Sequence, residues 1–72
     1  MALGWRDARD LGERLFEKHG TLNPLTVRFT DLHKWVTELD DFTGPPAESN
    51  EKLLEGIQMA WYEEWKDAQD AD

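Results

Sequence analysis

The chain has no cysteine, one serine and two histidines, and these shortages remove most catalytic chemistry. Without cysteine there is no disulfide staple, no thiolate metal ligand and no thiol nucleophile. The lone serine, Ser49, stands beside a predicted helix start, far from either histidine and outside any Gly-x-Ser-x-Gly turn. A helix-capping role is its plain reading. His19 and His33 lie fourteen positions apart with no cysteine beside them, which is not a zinc-site spacing. The five glycines are scattered and form no phosphate-cradling loop.

Basic residues are also scarce. Eight Lys and Arg stand against sixteen Asp and Glu, for a formal net charge of −8. Non-specific affinity for nucleic acid comes from cations that neutralise phosphates, so this balance has the wrong sign for DNA or RNA. It also repels anionic membranes, and it favours basic protein surfaces and hard cations. No apolar run approaches the roughly 20 residues that cross a bilayer. Arg6 and Asp7 follow Trp5 at once, so the start does not read as a signal peptide. A cytoplasmic monomer is the expectation.

What remains is a short chain rich in tryptophan. Its 72 residues allow one domain. A chain of this size buries only about 60% of its unfolded surface, so the four tryptophans, Trp5, Trp35, Trp61 and Trp65, are large contributors.

Apolar spacing predicts a first helix over 7–19, with Ala8, Leu11, Leu15 and Phe16 on one face. Arg6–Asp10, Arg9–Glu13 and Asp10–Arg14 are its i,i+4 charge pairs. His19-Gly20 is a stop signal, with Gly20 expected in the left-handed conformation. Asn23-Pro24 predicts a short capped turn. Thr30 is expected to cap a second helix that buries Leu32, Trp35, Val36 and Leu39 and turns Asp31, Lys34, Glu38 and Asp41 outward. Phe42 is expected to tuck into the core before the Gly44-Pro45-Pro46 loop. Ser49 or Asn50 caps a third helix carrying Leu53, Leu54, Ile57, Ala60, Trp61 and Trp65. We read 1–66 as a single helical domain and 67–72 as an acidic, frayed tail. The fold class is mainly α: a small orthogonal helical bundle, of helix-turn-helix or winged-helix type.

The acids are the one constellation with chemical promise. Asp31, Glu38, Asp40 and Asp41 are read as converging around the end of the second helix, and Glu63, Glu64, Asp67, Asp70 and Asp72 load the C-terminus. Carboxylates suit hard cations, yet the spacing is not that of an EF-hand. A cation site and a solvated or partner-facing surface both fit. Acids at a helix C-terminus oppose the helix dipole, so local stability does not account for Glu38, Asp40 and Asp41.

The stretch Thr26-Val-Arg-Phe-Thr-Asp-Leu-His-Lys-Trp35, with Leu39-Asp-Asp-Phe42, Ser49-Asn-Glu-Lys-Leu-Leu-Glu55 and Trp61, closely resembles the IscX family, and the likeness extends back to Trp5–Leu15. IscX proteins are small acidic accessories of bacterial iron–sulfur cluster assembly. The resemblance implies a winged-helix-like fold and no enzymatic activity. It implies an adaptor that binds the cysteine desulfurase on a basic surface frataxin also uses, and so competes with frataxin. It further implies weak Fe²⁺ binding with no tightly held cofactor, and a role as desulfurase regulator or as iron donor.

Asp31, Glu38, Asp40 and Asp41 match the family's acids and are the expected metal-binding set. The same four with Arg28, His33 and Lys34 are the expected partner-binding set. Arg28 is either a structural ion pair or an interface contact. His33 faces away from the Leu32-Trp35-Val36 seam and is read as solvated, or as a metal or partner contact. One departure matters: Thr43-Gly44-Pro45 replaces further acids that the family carries there, which predicts weaker local iron affinity.

Overall fold

The computed structural model describes residues 2–70. Three α-helices form the body: α1, Ala8–Lys18; α2, Phe29–Thr37; and α3, Glu51–Asp70. Two single 3₁₀ turns, Pro24–Thr26 and Pro46–Glu48, sit in the connections. No strand is present among the described residues. An isolated parallel bridge joins Leu3 to Phe42, with Leu3 N–H donating to the Asp41 carbonyl at 2.7 Å and Thr43 N–H to the Leu3 carbonyl at 2.8 Å.

The core is one cluster. Leu11, Leu15, Leu32, Val36, Ile57 and Trp61 are fully buried, and Leu3, Trp5, Val27, Leu39 and Leu54 nearly so. Half-buried Ala8, Phe16, Phe29, Trp35 and Phe42 pack around it. This is the apolar stripe of each helix turned inward, which is what makes such short helices stable in water.

The main contact is between α1 and α3, and small residues set its closeness. A Cβ on Gly12 would stand 2.7 Å from the Trp61 backbone nitrogen and 2.9 Å from both the Ala60 carbonyl carbon and its Cβ. One turn earlier, a Cβ on Gly56 would meet Ala8 Cβ at an ordinary 3.9 Å. The contact climbs both helices together, so they pass one another in the same direction.

Four local expectations are corrected. Gly20 is not left-handed, since no glycine among the described residues has positive φ. It is needed for closeness, because a Cβ there would meet the Phe16 carbonyl oxygen at 2.9 Å. Thr30 is not the cap of α2. The helix opens at Phe29 with Arg28 at the cap position and no side-chain cap bond, because the Arg28 carbonyl already accepts the Leu32 N–H at 2.9 Å. On α1, Arg9–Glu13 forms at 3.8 Å, but Asp10 pairs with neither Arg6 nor Arg14 among the described residues. Arg14 turns instead to Glu17 at 3.8 Å and to Asp41 at 2.7 Å. Finally, α3 does not stop near Lys66 but runs on to Asp70. Propagating an existing helix gains one hydrogen bond per residue ordered, even where no apolar face remains. Of the expected tail, Ala71 and Asp72 lie outside the described residues.

Two capping expectations take definite form. Asn23 caps the Pro24–Thr26 turn, its Oδ1 accepting the Leu25 N–H at 3.0 Å. Asn50, rather than Ser49, starts α3, its Oδ1 accepting the Leu53 N–H at 2.9 Å.

Candidate functional site

The expected site residues lie on α2 and the turn after it. Asp31, Lys34, Glu38 and Asp40 are exposed, Asp41 half-buried. Asp31 and Glu38 are seven positions apart, so they share one face of α2 but lie about 10 Å apart along its axis. Lys34 sits between them on that face, one turn from each. Asp31 and Glu38 therefore form an interrupted stripe along α2, while Asp40 and Asp41 lie in the turn just past Glu38. Among the described residues no group of three or more Asp, Glu or His side chains is gathered to hold a metal ion.

Asp41 differs from the other three. Its Oδ2 lies 2.7 Å from Nη2 of Arg14 on α1, the length of a charge-assisted hydrogen bond. Its backbone carbonyl also accepts from Leu3. Asp40, its neighbour, has no ion pair among the described residues and faces water. Arg14, Lys18, Leu39, Asp40 and Asp41 line a small pocket of about 140 Å³ between α1 and the turn.

Arg28 is exposed and makes no ion pair among the described residues, so the structural ion pair weighed for it is not formed there. His33 is not simply solvated. It is half-buried, its ring stacks on Trp5 at 5.1 Å between centroids and 26° between planes, and its Nε2 lies 3.0 Å from the Pro46 carbonyl. A carbonyl only accepts, so Nε2 carries the proton and donates. Trp5 Nε1 donates to the adjacent carbonyl, Pro45, at 2.6 Å. One stacked pair thus holds two successive carbonyls of the proline loop to α2 and the N-terminal segment.

Sequence spacing could not reveal this clasp, because its partners are 13 and 40 positions apart. The same holds for His19, which stacks on Trp35 at 4.3 Å and 18°. Trp35, Phe42 and Trp61 serve the framework: Trp61 is fully buried, Phe42 sits edge-on to Trp5 at 4.7 Å, and Trp35 meets Trp61 at 6.2 Å.

The arrangement is a negatively charged surface on a tight aromatic body. No helix among the described residues is long and apolar enough to cross a membrane. An uncharacterized protein of Pseudomonas aeruginosa is 44% identical over 64 residues, covering 89% of this chain and 97% of that protein. The family model described as iron-sulphur cluster assembly matches residues 3–66, which take in all three helices but the last turn of α3 and every expected site residue. The chain belongs to the iron-sulphur cluster assembly family.

Proposed function

We propose that this protein is an IscX-type accessory of iron–sulfur assembly: a non-enzymatic adaptor of the cytoplasm that docks an acidic face on the cysteine desulfurase and modulates its activity. The observation that carries the reading is the exposure of Asp31, Glu38 and Asp40 along α2 and its end, in a chain of net charge −8. Exposed carboxylates with no ion-pair partner among the described residues are available to a basic surface at little desolvation cost. Arg28 and Lys34, exposed on the same helix, add register: a partner must offer an acid or a gap opposite each. His33 belongs to the clasp as well as to the partner-binding set, so its contribution is to hold the proline loop beside the docking face. Competition with frataxin follows if both proteins use one basic surface. The fold is read as winged-helix-like on the strength of the family resemblance.

Iron binding has a place in this reading as a weak property. The exposed carboxylates would hold Fe²⁺ singly or in pairs, with water completing its coordination. Asp40 is best placed for this, next to Asp41 and beside the small pocket.

Calorimetric titration into the cysteine desulfurase of the same organism tests the proposal. Exposed charges are screened over about 10 Å at 0.1 M salt. Affinity is expected to fall steeply between low and physiological ionic strength. Absence of binding at low salt would overturn the adaptor reading and leave iron binding as the function to examine.

A further inference from the structure

Arg14 stands where it competes with any external cation for Asp41. It comes from α1, 27 positions away in the chain, and closes on the carboxylate at 2.7 Å. Both side chains are partly open to water, at 48% for Arg14 and 37% for Asp41, so the pair can exchange with an outside partner. Glu17 approaches the other side of the same guanidinium at 3.8 Å. Lys18 lines the same pocket and adds a second positive charge. At this corner Arg14 is the cation that ion-pairs with an expected site acid among the described residues.

We infer that Arg14 is a resident competitor at the acidic face: it withholds Asp41 and sets the affinity of the Asp40–Asp41 corner for cations. The inference rests on the acidic-face reading above and adds to it a residue outside the expected site. A divalent ion, or a Lys or Arg of a docking surface, gains Asp41 only by displacing the guanidinium. The face is thereby split. Asp31, Glu38 and Asp40 are available at once, and Asp41 responds only to a cation strong enough to compete.

The test compares Arg14→Gln with Arg9→Gln. Each lowers the formal net charge from −8 to −9, and both residues lie on α1, but Arg9 is 88% exposed and its one ion pair among the described residues is with Glu13. The change in net charge is thus equal; Arg14→Gln also removes a nearby positive field, and the Asp41→Asn background separates that field, which would still act on Asp40, from direct competition for Asp41. Mn²⁺ binding is read from paramagnetic broadening of backbone amide signals, and desulfurase binding by calorimetry. An exposed ion pair contributes modestly, so Arg14→Gln is expected to tighten Mn²⁺ binding at Asp40–Asp41 about threefold to fivefold over Arg9→Gln. Arg14→Lys should restore the parent affinity, and the Arg14→Gln/Asp41→Asn double variant should lose the gain. Circular dichroism confirms that each variant is folded.

Equal broadening in Arg14→Gln and Arg9→Gln, or a gain that survives Asp41→Asn, overturns the inference. Failure of every variant to bind the desulfurase refutes the adaptor reading instead, while the Mn²⁺ comparison still decides the role of Arg14.

Discussion

Gly12→Ala is the sharpest perturbation of the fold, because its sign opposes what helix propensity predicts. Gly to Ala inside a helix gains about 1 kcal/mol when nothing is in the way. Here the added methyl would lie 2.7 Å from the Trp61 nitrogen and 2.9 Å from two atoms of Ala60. Carbon contacts are comfortable at about 3.5–4.0 Å, so α1 and α3 would have to separate by roughly 0.6–1 Å. Two of the three atoms are backbone and cannot swing aside. Leu11, Leu15, Ile57 and Trp61, all fully buried, are the residues whose contacts would loosen. A gap of that size forfeits about a quarter to a half of each contact's attraction.

Overpacking costs about 1–3 kcal/mol, and the rigid neighbours place this case at the upper end. After the propensity gain, a net loss of about 2 kcal/mol remains. For a domain of this size that lowers the melting temperature by about 8–16 °C. Gly56→Ala is the internal control. Its Cβ meets only Ala8 Cβ at 3.9 Å and the site is exposed, so it should stabilise by about 0.5–1 kcal/mol. Thermal and urea unfolding followed by circular dichroism and tryptophan fluorescence read both variants. A Gly12→Ala protein as stable as the parent would refute the close-crossing argument.

Two further substitutions test particular bonds. Asn50→Ala removes the side-chain acceptor for the Leu53 N–H at the start of α3 and should cost about 1 kcal/mol in urea unfolding, whereas Ser49→Ala should cost less. Trp5→Phe keeps an aromatic against His33 but deletes the 2.6 Å bond to the Pro45 carbonyl. It should destabilise by about 1–2 kcal/mol and shift the NMR signals of Gly44 and His33, and unchanged signals there would mean that the clasp does not form in solution.

The three helices were legible because each carries its own apolar period: Leu11 and Leu15, Leu32 and Val36, and Leu54, Ile57 and Trp61 all face the core as their spacing implies. The placement of Asn23 and Asn50 as caps was also local, and visible. What escaped was long-range. Arg14 has an acid at i−4 and another at i+3, and nothing local says that it will choose Asp41 across the fold. His33 points away from the α2 seam, which suggests water, but the proline loop and Trp5 close over it. A glycine after a helix usually answers a need for positive φ, whereas Gly20 answers a close approach to the Phe16 carbonyl, which spacing alone does not show. That acids stand on α2 and in the turn after it is plain from the sequence, but not how they are spread. Asp31 lies in the first turn of α2 and Glu38 at its C-cap, and Asp41 is already engaged.

The acidic face itself is tested most directly by the Asp31→Asn/Glu38→Gln/Asp40→Asn variant, titrated calorimetrically into the cysteine desulfurase beside the parent at low salt. All three side chains are exposed, so the variant should fold with near-parent stability. The account predicts that it binds at least tenfold more weakly, at about 1.4 kcal/mol per tenfold, and with a flatter salt dependence. Parent-like affinity in a folded triple variant would contradict it.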